Sequence, residues 1–178
     1  RQMCIRDRTE QYMKMTGRSK EQAESDYESN IDAMMTEMDQ FNLSDELSNS
    51  YRQLFKDVYA KAKYTVKDAE KMDDKDGYYV TVEIEQMTGL FNGIQEELMT
   101  EFTEWANSFD ADTYPTEDEM YEQMYQMMYD LMSARLDSIT YNDPQEVVVE
   151  VIGEDNVYSI SDGSMTELDE ALLDVATE

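Results

Sequence analysis

Apolar side chains recur at helical spacing through the first third of the chain. Ala23, Tyr27, Ile31, Met34, Met35 and Met38 mark an amphipathic helix, opened by a capping box of Ser19 and Gln22 and expected to end near Asn42. Ser44 is the expected N-cap of a second helix, with Leu47, Tyr51, Leu54, Phe55, Val58 and Tyr59 as its apolar face and an end near Lys61 or Ala62. The period then changes to two. Tyr78, Val80, Val82 and Ile84 alternate with Tyr79, Thr81, Glu83 and Glu85, as in a strand with one buried face. Tyr64 and Val66 supply its partner and Asp73 to Gly77 is turn chemistry, so residues 63–87 read as a β-hairpin.

The same order then returns. A third helix starts near Gly89 or Leu90, carries Ile94, Leu98, Phe102 and Trp105, and stops before the loop from Asp110 to Pro115. Thr116 and Glu119 form a further capping box. The fourth helix sets Met120, Met124, Met127 and Leu131 beside Tyr121, Tyr125, Met128 and Met132, an apolar face wide enough to belong in a core. Pro144 bars more helix, Val147, Val149 and Val151 face one way in a strand, and Gly153 to Asn156 turns into a second from Val157 to Ile160. A short helix from Ser164 to about Val175 closes the chain.

These elements predict an α+β fold: two helix pairs, each followed by a hairpin, a small antiparallel sheet covered by helices, and a short C-terminal helix. The order suggests an internal duplication with pseudo-repeats at 15–86 and 87–160. Met15-Thr16-Gly17 returns as Met87-Thr88-Gly89, and the Tyr51 to Tyr59 stretch is echoed from Tyr121 to Tyr129. Two amphipathic helices drawn from one residue set can also match by chance. If the duplication is real, the two hairpins can join in one sheet.

Residues 1–8 differ from the rest. They hold three of the six arginines and the single cysteine, Cys4, and they resemble a translated sequencing adapter. A genuine basic arm is the alternative. Set apart from fold reasoning, they leave 9–178 as one α+β domain.

Charge changes the functional picture. After Lys75 the chain carries 26 Asp and Glu against the single Arg135, within a total net charge of −28. Nucleic acid and anionic bilayers are thereby disfavoured as partners, because both need clustered Lys and Arg. No apolar run approaches the ~18 residues of a membrane span. Histidine is absent and Cys4 stands alone, so the usual bases, nucleophiles and thiolate or imidazole metal ligands are missing. No cofactor is expected.

Four features invite a chemical reading. Asp74, Asp76, Gly77 and Glu83 occupy positions 3, 5, 6 and 12 of a calcium-loop pattern, but Met72 holds position 1 and a strand follows where a helix should. The methionines of the fourth helix could offer thioethers to Cu(I), and equally fill a core. Paired carboxylates could serve a hydrolase, although 41 acidic residues from 9 onward make any one pair unspecific. Arg135 could bind an anion or simply pair with neighbouring carboxylates.

The segments YMKMTGRSKEQAE, LSDELSNSYRQLFKDVYAKAKYTVKDAEK, YYVTVEIE and DPQEVVVEVIGEDNVYSI, in this order, resemble lipoprotein or secreted domains of unknown function from anaerobic Gram-positive gut bacteria. The likeness spans most of residues 11–175. It implies an extracytoplasmic location, with a signal peptide and lipidated cysteine ahead of the domain, and no known activity. Cys4 does not fit the lipidated position, having no apolar run before it; the membrane would be reached only through that missing anchor. The expectation is a non-catalytic domain that binds a protein, peptide or small ligand in a groove between sheet and helices, with Tyr79, Trp105 and Tyr141 as contacts and Arg135 for an anionic group. The alternatives are a carboxylate-dependent hydrolase and a calcium-responsive module built on Asp74, Asp76 and Glu83.

Overall fold

The computed structural model describes residues 19–36, 38–110, 112–154 and 157–175. The 1–8 head, Cys4 and the Met15-Thr16-Gly17 copy of the repeated motif lie outside them. The helices are α1 (Lys20–Thr36), α2 (Asp45–Ala60), α3 (Ile94–Ala106), α4 (Glu117–Arg135) and α5 (Asp162–Leu172). The strands are β1 (Lys63–Lys71), β2 (Gly77–Glu85), β3 (Met87–Thr88), β4 (Thr140–Tyr141), β5 (Gln145–Glu154) and β6 (Val157–Ile160). The architecture is the expected α+β order of helix pairs and hairpins.

The capping signals act where the sequence places them. Gln22 N–H donates to Ser19 Oγ at 3.3 Å and the Gln22 side chain accepts from Ser19 N–H at 2.9 Å. Leu47 N–H donates to Ser44 Oγ at 3.2 Å. Thr116 and Glu119 exchange a reciprocal pair at 3.3 and 2.8 Å. Each satisfies amide donors that a helix start leaves without a partner. α1 ends at Thr36, earlier than the expected end near Asn42; a separate 3-10 turn at Asp39–Phe41 leads to Asn42, whose φ of 51° is left-handed.

Both hairpins join one antiparallel sheet of order β1-β2-β5-β6. At the seam β2 runs against β5, with Gly77 opposite Ile152 and Ile84 opposite Gln145. A two-fold axis between duplicated halves would place equivalent strands at the seam. Here the second strand of one hairpin meets the first of the other, so the hairpins follow one another across the sheet as a meander.

The period-2 pattern sets the faces. Val80, Val82, Ile84 and Val149 are buried, and Leu168, Ala171 and Leu172 of α5 pack with them. Ser161 caps the start of α5, and Ser164 Oγ accepts from the Glu150 amide of β5 at 2.9 Å. A second core is helical: Ile31 and Met35, Leu47, Tyr51, Leu54 and Val58, Ile94 and Met132 are buried together. Leu172 touches both cores.

The covering of the sheet is narrower than expected, because α5 reaches β2 and β5 and leaves β1 exposed along its whole length. This edge strand carries Lys63, Lys67 and Lys71 and a register shift between Val66 and Ala69, devices that discourage pairing with another chain. A small second sheet, β3 with β4, was not anticipated. α3 also begins later than predicted: Gly89 and Gly93 adopt φ of +90° and +65°, a left-handed conformation that suits glycine and delays the helix to Ile94.

Candidate functional site

α3 carries one apolar stripe, Ile94, Leu98, Phe102 and Trp105, at helical spacing, and Phe109 follows four residues on, in the bend beyond the helix end. Its base is in the core, with Ile94 and Leu98 buried. Its tip is not. Phe102, Trp105 and Phe109 are half-buried and belong to neither buried cluster. They pack on one another instead: the Phe102 and Trp105 rings lie 5.4 Å apart, tilted by 35°, and Phe109 meets Trp105 edge-on at 5.0 Å and 76°. Met99 beside them is 59% exposed and Tyr114, on the loop to α4, 57%.

The loop is held by its own backbone, with Thr113 N–H donating to the Asp110 carbonyl at 2.9 Å and Asp110 N–H to Thr113 Oγ1 at 3.2 Å. The Thr116 capping box then starts α4. Its amide and hydroxyl hold the Glu119 carboxyl below the usual range.

Carboxylates surround this tip. Residues 94–122 contain ten Asp and Glu and no Lys or Arg. Among the described residues Glu97 is the one of the ten in an ion pair, with Arg135 at 2.8 Å. Glu122 accepts from the Ser44 amide at 2.9 Å. Glu96, Glu101, Glu104, Asp110, Asp112, Glu117 and Asp118 are exposed. Two shallow depressions of the surface also lie on α3; Gly93, Glu97 and Glu101 line one, Met99, Thr103 and Glu104 the other, and Glu96 and Thr100 both.

The structure scatters the residues singled out from sequence. Trp105 is at the α3 tip. Tyr79 is 40% exposed, on the face of β2 opposite buried Val80 and Val82, and belongs to a different element from Trp105. Tyr141 is engaged within the fold: its hydroxyl donates to the Lys61 carbonyl at 2.8 Å and Lys63 Nζ sits 3.5 Å above its ring. Arg135, besides Glu97, donates to the Leu90 carbonyl at 3.3 Å, and its side chain is only 15% exposed. It is the carboxylate-paired cation of the two sequence readings.

Asp74, Asp76 and Glu83 are not brought together. Asp76 accepts from the Tyr158 hydroxyl at 3.3 Å, and Glu83 pairs with Lys67 at 2.8 Å. Seven residues of extended chain set Asp76 and Glu83 roughly 20 Å apart, and Met72, at the pattern's first position, is buried at 3% exposure. Among the described residues no group of three or more carboxylates is placed to hold a metal ion. Of the α4 methionines, Met132 is buried in the helical core and Met128 packs on it, as core filling requires. Phe109, Met99 and Tyr114 were missed from sequence; the signal for Phe109 was its place four residues beyond Trp105 on the same stripe.

No protein-family model matches the chain, and no curated protein matches it. Among solved structures it is similar to the crystal structure of a "putative lipoprotein (ycdA)" from Bacillus subtilis subsp. subtilis str. 168, with a TM-score of 0.55 and 15% identity over 92% of this chain and 50% of that one. The chain thus spans about half the length of that protein. At this identity the likeness shows a common fold. No helix among the described residues is long and apolar enough to cross a membrane.

Proposed function

We propose that this is a non-catalytic binding domain of an extracytoplasmic, lipoprotein-type protein, which engages a protein, peptide or small ligand at the tip of α3. The observation that carries the reading is the Phe102–Trp105–Phe109 cluster, outside both buried cores, with Met99 of the same helix and Tyr114 of the following loop both exposed. Aromatic side chains supply large contact area at little entropic cost and dominate interface energetics. The extracytoplasmic placement is supported by the lipoprotein-like segments of the sequence and by the fold shared with the Bacillus subtilis protein. Shallow, open depressions favour docking over enclosure of a substrate, since hydrolysis between two carboxylates needs a walled cleft.

The test is selection of a random peptide library on the immobilised full chain. Selected peptides are expected to lose binding to a Met99→Ala, Tyr114→Ala double variant and to keep it for Tyr79→Ala. Peptides indifferent to the first variant would move the binding face elsewhere. Both sites are exposed, so folding is expected to survive in each variant.

A further inference from the structure

We propose that the α3 tip docks a basic segment of a partner protein, with lysine or arginine side chains laid across the aromatic cluster and their charged heads among the surrounding carboxylates. This rests on the binding reading above and names the partner's chemistry. The apolar element is the end of a helix face: Phe102, Trp105 and Phe109 pack on one another outside both buried clusters, Met99 of the same helix is 59% exposed, and Tyr114 of the following loop is 57% exposed. Lys and Arg stems cover such surface while their heads remain in water, and the heads are attracted to ring faces.

Charge complementarity selects the occupant. Elsewhere the chain pairs some of its acids with its own cations: Lys63 with Glu85, Lys67 with Glu83 and Lys75 with Glu150 on the sheet, Arg52 and Lys56 with Glu28 on the helices. Over residues 94–122 it supplies no cation of its own, and Arg135 is spent on Glu97 at the core end of α3. A second copy of the chain would bring the same carboxylates to the same place and be repelled, as would an anionic bilayer. A basic segment gains attraction from the rim and contact from the rings, and its approach is steered by the field.

Trp105 is the chain's one tryptophan, so its emission reports on the site alone. The experiment titrates the full chain with deca-lysine and deca-arginine, and with a neutral Gly-Ser decapeptide, at low and at physiological ionic strength. The expected result is a saturable change in Trp105 emission with the cationic peptides only, stronger at low salt. Neutralising the rim with E101Q, E104Q and D110N is expected to weaken binding about tenfold. Neutralising three carboxylates away from the tip, with E70Q, E154Q and E167Q, removes equal net charge and is expected to change affinity less than about twofold. Equal weakening by both sets would reduce the effect to net charge and overturn the proposal. So would an unchanged Trp105 emission, or absence of binding. If cationic peptides fail while library peptides still depend on Met99 and Tyr114, the binding face stands and the basic partner falls.

Discussion

Arg135 Nη2 lies 2.8 Å from Glu97 Oε2, and this contact ties the end of α4 to the start of α3. The guanidinium is 15% exposed and also donates to the Leu90 carbonyl, while Glu97 is 55% exposed. The two ends of the pair should therefore differ in worth. Replacing Arg135 by Met leaves the buried Leu90 carbonyl short of a donor and is expected to cost about 1–3 kcal/mol in urea unfolding. Glu97→Gln is expected to cost less than about 1 kcal/mol, since its carboxylate is solvated. Equal costs would mean that the ion pair, rather than the buried donor, matters.

A tyrosine cluster joins α2 to α4 and makes stability depend on alkaline pH. The buried Tyr51 hydroxyl donates to the Tyr125 carbonyl at 2.7 Å, with the Tyr125 and Tyr129 rings within 6.1 Å and 5.7 Å. Burial, chiefly, pushes the Tyr51 phenol well above its ordinary value, with the neighbouring Tyr125 and Asp130 adding to it, and burial likewise raises Tyr59. For a phenol raised on folding, the stabilisation is complete below the unfolded value of about 10 and is lost as pH rises toward the folded one. Unfolding midpoints should fall above about pH 10. Tyr51→Phe should cost about 1 kcal/mol at neutral pH and flatten that decline.

Much of this was legible because local signals agreed with burial. The capping boxes at Ser19 and Thr116 and the Ser44 cap lie where helices begin, and the Tyr78 to Ile84 alternation named the buried face of β2. Two-residue strands such as Met87–Thr88 show no period and could not be read. Nor could the later start of α3, which depends on left-handed φ at Gly89 and Gly93. Tyr64 and Val66 announced β1 correctly, yet their exposure at 40% and 41% follows from the short reach of α5, a tertiary fact. At the candidate site Trp105 was visible as an aromatic at a helix end. Its edge-on packing with Phe109, beyond the helix end, was signalled only by spacing.

Gly77 sits where the sheet has no room for a side chain. A Cβ there would meet the Val151 carbonyl at 2.6 Å and Met72 Sδ at 3.0 Å. Backbone of the neighbouring strand cannot withdraw, so Gly77→Ala is expected to destabilise by about 1–3 kcal/mol. At Gly153 the obstacles are the Asp76 carboxyl and the Tyr158 ring, both at 2.8 Å and both side chains that can swing away. Gly153→Ala should cost less, and denaturant midpoints of the two variants give the comparison.

Calcium offers a further check on the acidic surface. With Asp74, Asp76 and Glu83 apart, the ion is expected to raise the melting temperature no more than sodium chloride at equal ionic strength, since screening alone acts. A specific site would add stabilisation that grows with concentration above its Kd. A calcium-specific rise would restore the acidic module as the function.

The most direct measurement is a map of backbone amide chemical-shift changes in the full, isotope-labelled chain on titration with deca-lysine. Changes are expected to concentrate between Met99 and Asp118, with the outer sheet face around Tyr79 and the α1 surface little affected. Changes spread evenly over the acidic surface, or centred on the sheet, would contradict docking at the α3 tip.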